Sequence, residues 1–263
     1  MMHENKTQKR RNRILEILKT DGNVHVVELS QCLGISAVTI RKDLEHMEKQ
    51  GLLQRVWGGA VLKPEATADK VEETFERKKS ENRELKLSIA RAVADLIQDG
   101  DSILIHAGST SYYVVEELKK KKDLVVITNV FTVVAQLQDC DQITTFFLGG
   151  RVYRKDSLTV GESVISQLEN YSVDKLIMGA DGVDPASGIS TAYHHREDYI
   201  VHQMIQQAKQ TILVADETKL GRKMLMRLAD ISEIDVVVTN RSEEKEPICK
   251  EIEQKGITVI RAE

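Results

Sequence analysis

The fold of the N-terminal part of the chain is decided by Leu33-Gly34-Ile35-Ser36-Ala37-Val38-Thr39-Ile40-Arg41-Lys42-Asp43-Leu44. Gly34 provides a tight turn, where a positive φ causes glycine no strain, and Ser36 follows at the position of a helix N-cap. Ile40, Leu44 and Met47 are spaced at i, i+4 and i+7, which predicts an apolar stripe that faces a core. Together these features predict the turn and the second helix of a helix-turn-helix.

The face of this helix opposite the apolar stripe is polar and partly cationic. A helix of this kind can place its N-terminal residues against base edges and its cations against phosphates. An ordinary amphipathic helix with a solvated charged face would show the same pattern, so the helix alone leaves both interpretations open. If it binds DNA, the contacting residues here are Ser36, Val38, Thr39, Arg41 and Lys42.

A hairpin follows the helix. Residues 52–57 are strand-like, Gly58-Gly59 is a strong two-residue hairpin signal, and residues 60–62 form the returning strand. This hairpin predicts a wing, so the N-terminal part is interpreted as a winged helix-turn-helix domain. Arg55 and Trp57 lie near the tip of the wing, where they can reach the sugar-phosphate backbone or a minor groove. Packing beneath the wing is an equally good explanation for Trp57.

Charge is unevenly distributed along the chain. The 263 residues carry a net charge of -4 at pH 7, yet residues 1–63 hold 11 Lys and Arg against 7 Asp and Glu. The remaining residues hold 26 basic against 34 acidic side chains. A basic head on an acidic body favours a head that meets a polyanion. The cluster Lys9, Arg10, Arg11 and Arg13, at the start of a predicted first helix, could contact phosphates or form a solvated helix end.

Metal and membrane functions find no support in the sequence. The three cysteines lie far apart and no Cys or His spacing suggests zinc, which predicts reduced thiols and no metal site. His194-His195 have no third ligand at a suitable spacing. No segment resembles a signal peptide, and no apolar run approaches the about 20 residues of a membrane span. We therefore expect a cytoplasmic protein without a cofactor.

From residue 81 onward, short β-branched strands alternate with helices, which predicts a mostly parallel sheet covered by helices on both faces. The expected fold class is α/β, a small winged helix-turn-helix domain followed by a mostly parallel α/β domain. The charged stretch 63–80, with Pro64 early in it, predicts a linker. The expected division is therefore 1–62, 63–80 and 81–263.

Polar residues follow the predicted strands of the second domain. Because parallel sheets bind ligands beyond the carboxyl ends of their strands, these positions predict a pocket. Backbone N–H groups and hydroxyls at a helix N-terminus favour an anion such as phosphate. The pocket should suit a small, anionic, hydroxyl-rich ligand. Its expected binding residues at the strand ends are Gly108, Ser109, Thr110, Thr128, Asn129, Gly150, Arg151, Asp181, Asp216 and Lys219.

The motifs of both parts resemble the DeoR family of bacterial transcriptional regulators. In the head they are T-I-R-K-D-L, M-E-K-Q-G-L-L and R-V-W-G-G-A, and in the body A-G-S-T, T-N, L-G-G-R, G-A-D-G-V, G-I-S-T and V-A-D-E-T-K-L-G. The resemblance covers nearly the whole chain and implies that the body is an effector-sensing domain. Trp57 stands where the family usually has a histidine, and His106 where it usually has an aspartate. His106 and residues 193–195, which replace the family's usual asparagine, are expected to tune which sugar is accepted.

The body of that family is similar to ribose-5-phosphate isomerase, and this chain shows the similarity. Glu197 falls where the isomerase keeps its catalytic carboxylate, and Asp181 where it keeps one aspartate of a D-G-A-D-E motif. The first aspartate of that motif is Met178 here, and Gly188-Ile189-Ser190-Thr191 replaces the isomerase's lysine-plus-glycine run. Because acid–base isomerisation needs the full set of proton-transferring groups, these differences predict a pocket that binds a sugar phosphate, with Glu197 among its effector contacts, and does not convert it.

The resemblance implies a repressor of an operon for the use of a sugar or sugar alcohol. Its partners would be operator DNA, a phosphorylated sugar or sugar alcohol that relieves repression, and further copies of the chain in a dimer or tetramer, with no membrane contact. We expect no catalytic residue. The alternative is an isomerase-like enzyme with a DNA-binding head, which Asp181, Glu197 and Lys219 favour and Met178 argues against.

Overall fold

The chain divides into two compact units, a head, Met1–Glu73, and a body, Thr74–Glu263. The computed structural model describes residues 6–21, 23–49, 52–56, 59–61, 75–191 and 197–263. Residues 75–80 are helical and belong to the body. The exact bounds 1–62, 63–80 and 81–263 stay a prediction.

The head is a winged helix-turn-helix, as the sequence predicts. Its strand β3 lies between β1 and β2, and both neighbours pair with it antiparallel. The described wing residues pair from Gln54↔Val61 to Val56↔Gly59. The elements of the head are α1 (Lys6–Asp21), β1 (Asn23–His25), α2 (Val26–Leu33), α3 (Ala37–Lys49), β2 (Gln54–Val56) and β3 (Gly59–Val61).

The turn between α2 and α3 has the predicted local chemistry. Gly34 has a φ of 65°, a conformation that favours glycine. The Ile35 N–H donates to the Ser30 carbonyl at 3.1 Å, and the Ser30 hydroxyl donates to the Ile35 carbonyl at 2.6 Å. The Ser36 hydroxyl accepts from the Thr39 N–H at 3.3 Å, which confirms Ser36 as the N-cap. The start of α3 is therefore set by its own sequence.

A buried carboxylate joins α3 to α1. Asp43 is 2% exposed and accepts from Arg10 Nε at 2.5 Å and Arg11 Nε at 2.9 Å. Burial alone would raise the pKa of Asp43, but the hydrogen bonds from the two guanidinium groups outweigh it and hold the pKa below its usual value. Arg10 and Arg11 thus form ion pairs inside the head. The sequence alone suggests only phosphate contacts or a solvated helix end for this basic cluster.

The body contains the expected parallel sheet. Seven strands among the described residues pair in the order β15-β14-β12-β9-β4-β5-β6, all parallel. Every residue of the strand at 236–240 is buried, as expected for a parallel sheet covered on both faces. The strands are β4 (Ser102–Ile105), β5 (Leu124–Thr128), β6 (Ile143–Phe147), β9 (Val173–Gly179), β12 (Ala208–Val214), β14 (Val236–Asn240) and β15 (Thr258–Ala262).

Helices lie between most of these strands, as predicted, while β12 and β14 are joined without an α-helix. The last residues of β5 and β14 pack into the core, and Asn240 donates from Nδ2 to the Leu85 carbonyl at 2.9 Å. The helices of the body are α4 (Arg83–Leu96), α5 (Ser109–Leu118), α6 (Phe131–Leu137), α7 (Glu162–Leu168), α8 (Glu197–Gln207) and α9 (Glu246–Glu253).

Short antiparallel strands were not predicted. β7 (Arg151–Tyr153) pairs with β8 (Leu158–Val160), while β10 (Gly182–Asp184), β11 (Gly188–Thr191) and β13 (Met226–Ala229) form a second small sheet. Each has only three or four residues, too few for a period of two to stand out from the surrounding polar sequence. Tertiary pairing therefore creates these strands.

We predict that Asp43→Asn destabilises the head by about 3 kcal/mol, because removing one partner of a buried ion pair leaves the other charges uncompensated. Urea unfolding of the full chain, followed by the fluorescence of Trp57, its single tryptophan, measures this change. Glu45→Gln is the matched control on the same helix, since Glu45 and its partner Lys49 are 49% and 73% exposed. Equal unfolding midpoints for both variants would contradict the structural role of Asp43.

Candidate functional site

The strand order of the body creates a crevice between β4 and β9. From β4 the chain adds β5 and β6 on one side of the sheet, and then returns to add β9, β12, β14 and β15 on the other side. Ligands of open α/β sheets bind where the strand order reverses in this way, beyond the carboxyl ends of the strands. A cavity of about 140 Å³ lies there, lined by residues that follow β4, β9 and β12 and by the segment at 75–80.

The cavity brings together six of the predicted effector residues. Three follow β4, one follows β9 and two follow β12, although the chain separates these groups widely. The six residues that line the cavity are Gly108, Ser109, Thr110, Asp181, Asp216 and Lys219.

Four predicted residues are not among the described residues that line the cavity. Thr128 and Asn129 are buried in hydrogen bonds of the fold: the Thr128 hydroxyl donates to the Ile105 carbonyl at 2.8 Å, and Asn129 Nδ2 donates to the Thr159 carbonyl at 2.7 Å. Gly150 packs so closely that a β-carbon would lie 2.9 Å from Val164 Cγ2. Arg151 is exposed on β7. Their predicted effector contacts thus gain no support from the geometry.

The end of the cavity at α5 is suited to an anion. The backbone N–H groups of the first turn of α5 have no partner inside the helix, and Ser109 and Thr110 lie in that turn. Lys219 lines the same cavity, and among the described residues its ammonium group forms no ion pair or hydrogen bond. A helix N-terminus and a lysine without a counterion therefore share one small space.

Asp216 positions this lysine. Its carboxylate accepts from the Thr218 N–H at 3.0 Å and from the Thr218 hydroxyl, which caps the short 3₁₀ turn Glu217–Lys219. Asp216 is 1% exposed. Although it lines the cavity as predicted, its described contacts serve the turn that carries Lys219.

Asp181 is paired by a residue that sequence reasoning assigned to the linker. Lys78 Nζ lies 2.8 Å from Asp181 Oδ1, and the Thr191 hydroxyl donates to Oδ2 at 3.1 Å. Lys78 and Phe75, from the helical segment at 75–80, both line the cavity. No local sequence signal could identify Lys78, because 103 residues separate it from Asp181.

A buried lysine behind the cavity holds this segment in place. Lys86 is 3% exposed and donates to the carbonyls of Lys78 and Glu81. Burial lowers the pKa of Lys86, an effect that the nearby carboxylate of Asp216 partly opposes. The Tyr113 hydroxyl adds a hydrogen bond to the Lys79 carbonyl at 3.0 Å. These contacts fix the segment against the body.

His106, which follows β4, lines the cavity with an uncharged ring. Its side chain is 5% exposed, and its Nδ1 is buried with no hydrogen-bond partner among the described residues. Burial lowers the pKa of His106 to about 4, so the imidazole is neutral at physiological pH. Glu197 is the first residue of α8, and its side chain lies outside the described part of the chain.

The predicted DNA-contacting face is accessible on the head. Val38 is 60% exposed, and Arg41, Lys42 and Arg55 are exposed as well. The hydroxyls of Ser36 and Thr39 lie 2.9 Å apart at the start of α3. Trp57 lies outside the described residues, so both interpretations of its role stay open.

Among the described residues no group of three His, Cys, Asp or Glu side chains could hold a metal ion, and His194-His195 lie outside them. In the described part of the chain, no helix has the length and apolar character that crossing a membrane requires.

Comparisons with known proteins agree with this architecture. The DeoR-like helix-turn-helix domain matches residues 10–65, and the DeoR C-terminal sensor domain matches residues 81–241. The HTH-type transcriptional repressor GlcR of Bacillus subtilis (strain 168) is 32% identical over 250 residues, which are 95% of this chain and 94% of that protein. The glycerol-3-phosphate regulon repressor of Escherichia coli (strain K12) is 29% identical over 235 residues, 89% of this chain and 91% of that protein.

Among solved structures, a D-ribose-5-phosphate isomerase in complex with phospho-erythronic acid matches with a TM-score of 0.38 and 21% identity, over 52% of this chain and 54% of that chain. The winged head and the cavity-bearing body define a transcriptional regulator with a sensor domain. The chain belongs to the DeoR family, which confirms the expected family.

We predict that Arg41→Ala and Lys42→Ala each weaken operator binding and lower the slope of log K against log salt concentration by about one, because each removed phosphate contact releases about one counterion fewer. Fluorescence anisotropy at several salt concentrations measures both quantities. Lys49→Ala, in the last turn of α3 and paired with Glu45, should keep the wild-type slope. A wild-type slope for the Arg41 and Lys42 variants would overturn their assignment.

A pH dependence follows from His106. The folded chain keeps this ring neutral down to about pH 4, whereas the unfolded chain protonates it near pH 6.5. Above pH 6.5 the ring is neutral in both states, and the stability that depends on the neutral ring is fully present. As the pH falls towards 4, the unfolded chain gains a proton that the folded chain does not, so the free energy of unfolding decreases by about 2 kcal/mol between pH 7 and pH 5. Urea unfolding at both pH values should show this loss in the wild type and not in His106→Asn. Parallel pH profiles would refute the assignment.

Proposed function

We propose that this chain is a DNA-binding repressor of an operon for the use of a sugar or sugar alcohol, and that a phosphorylated sugar or sugar alcohol releases it from its operator. One observation carries the proposal: the cavity of the sensor domain combines an open helix N-terminus, a lysine with no ion-pair partner among the described residues, and a carboxylate. The relative from Escherichia coli, a glycerol-3-phosphate regulon repressor, supports a phosphorylated effector. As a DNA-binding regulator, the protein acts in the cytoplasm.

The phosphate of the effector binds at the N-terminus of α5 and to Lys219. Ser109 and Thr110 supply backbone N–H groups and hydroxyls, and Lys219 supplies a positive charge. Asp181 accepts hydrogen bonds from sugar hydroxyls, and Glu197 shares this role by resemblance to the isomerase. Arg151 has no part in this arrangement, because it is exposed outside the cavity lining.

Release of DNA starts at the segment that carries Lys78. In the described structure Asp181 is already paired with Lys78, so a ligand hydroxyl that binds Asp181 competes with this ion pair. The chain enters the body through the same segment, at residues 75–80. In this proposal, the chain has a state in which the segment has moved, and that state has lower affinity for the operator. An effector that binds this state more tightly shifts the population towards it and lowers operator affinity. By thermodynamic linkage, bound operator DNA lowers the affinity for the effector by the same factor.

The repressor binds its operator as a dimer or tetramer. A single winged head covers only a small DNA site, and specific repressors of this kind gain affinity by pairing half-sites. Sedimentation of the full chain at micromolar concentration reports the assembly.

The cavity binds its ligand without converting it. Met178, at the position of the isomerase's first aspartate, is fully buried on β9 and carries no proton to transfer. Acid–base isomerisation needs complete sets of such groups. Incubation with pentose and hexose phosphates therefore gives no product, and measurable turnover would favour the isomerase-like alternative.

The experiment that tests the proposal measures operator release by pentose, hexose and sugar-alcohol phosphates and by the same compounds without phosphate. We expect release by at least one phosphorylated compound only. Lys219→Ala should raise the concentration for half release about tenfold or more and leave operator affinity unchanged, because a charge-assisted contact is lost in the body alone.

Lys209→Ala is the matched control, since this lysine pairs with Asp174 on the surface of the same domain. It should leave release unchanged. Failure of every phosphorylated compound to release the wild-type protein from its operator would refute the proposed function.

A further inference from the structure

Two buried side chains on the cavity wall carry polar atoms without partners. His106 is 5% exposed and Ser111 is 1% exposed, and both line the cavity. His106 Nδ1 and Ser111 Oγ have no hydrogen-bond partner among the described residues. Of the described buried side chains with an unpartnered polar atom, these two alone line the cavity. Buried polar groups normally have a hydrogen-bond partner, so these two atoms point to a polar group of the ligand as their partner.

Both side chains line the cavity from the part of the chain where β4 ends and α5 begins. The His106 N–H donates to the Ile177 carbonyl at 2.9 Å, which extends the β4–β9 pairing by one residue. Ser111 lies in the first turn of α5, three residues after Gly108. A β-carbon on Gly108 would lie 3.1 Å from Ser111 Oγ and 3.9 Å from Gly179 Cα, so glycine keeps the space beside the hydroxyl open.

The chemistry of this part of the cavity wall is neutral. Burial lowers the pKa of His106 to about 4, and no charged neighbour raises it, so the ring offers one donor and one acceptor. The Ser111 hydroxyl likewise both donates and accepts. A ligand hydroxyl matches this pair. A second anionic group would meet no further cation among the described cavity residues, because the phosphate uses the N-terminus of α5 and Lys219 while Lys78 is paired with Asp181.

We propose that His106 and Ser111 form a specificity subsite that binds an uncharged hydroxyl group of the effector and rejects a second anionic group. The subsite rests on the proposed function, since it needs a ligand whose phosphate binds at Lys219. It narrows the effector to a monophosphate of a neutral sugar or sugar alcohol. Sugar-acid phosphates and bisphosphates of the same carbon skeleton are excluded.

Calorimetric titration of the full chain tests this subsite with defined probes. The probes are inorganic phosphate, aldose and alditol monophosphates of five and six carbons, and the matching aldonic-acid phosphates and bisphosphates. The wild type should bind at least one neutral monophosphate about tenfold or more tightly than its acid or bisphosphate analogue. Equal or inverted preference would overturn the subsite.

Variants separate the subsite from the phosphate end. His106→Leu should weaken the best monophosphate about tenfold and leave the affinity for inorganic phosphate unchanged, while His106→Asn, which keeps a donor and an acceptor, should retain most of the affinity. Ser111→Ala should weaken the same compound less. Thr239→Val is the matched control, because Thr239 Oγ1 is also buried without a described partner but does not line the cavity.

The outcomes distinguish the two proposals. If no sugar phosphate binds the wild type, both the proposed function and the subsite fail. If a monophosphate binds and both His106→Leu and Ser111→Ala keep wild-type affinity, the subsite fails alone. If His106→Leu does not fold, the subsite is tested with Ser111→Ala and His106→Asn, which are smaller changes. The measurements are the affinity of Ser111→Ala for the best monophosphate and the preference of His106→Asn for that compound over its acid and bisphosphate analogues.

Discussion

The pairing of β9 with both β4 and β12 is the constraint on which the functional architecture depends. β9 joins the two halves of the sheet at the point where the strand order reverses, so the segments that follow β4, β9 and β12 converge beyond their carboxyl ends. The open N-terminus of α5, the carboxylate of Asp181 and the turn that carries Lys219 meet for this reason. Any change that moved β9 out of this position would separate all three.

The charges in the cavity are balanced unequally before a ligand binds. Asp181 already has Lys78 and Thr191 as partners, and Asp216 is engaged by Thr218, whereas Lys219 has no described partner. In the proposed function, an anionic ligand gains an ion pair with Lys219, whereas a ligand hydroxyl that binds Asp181 competes with Lys78. The proposed function thereby connects ligand binding to the segment at 75–80, whose Lys78 carbonyl accepts a hydrogen bond from Lys86.

The arginines of the head fall into two groups, one paired with a buried carboxylate and one exposed to solvent. Arg10 and Arg11 face inward to the buried Asp43, while Arg41 is exposed on α3. The basic excess of the first 63 residues therefore overstates the charge available to DNA. The same pair of arginines fixes α3 to α1, so the position of the exposed face depends on a buried ionic contact inside the head.

Features that arise from short-range chemistry could be predicted from the amino-acid sequence alone. The apolar period of Ile40, Leu44 and Met47, the turn at Gly34 and the alternation of strands and helices each depend on neighbouring residues, and all were predicted correctly. Which strand ends become neighbours depends on long-range packing and could not be predicted in this way. The tertiary structure placed Thr128, Asn129, Gly150 and Arg151 outside the cavity lining and brought in Ser111 and Lys78. Lys78 precedes Asp181 by 103 positions along the chain, and contacts over such distances depend on the packing of the whole domain.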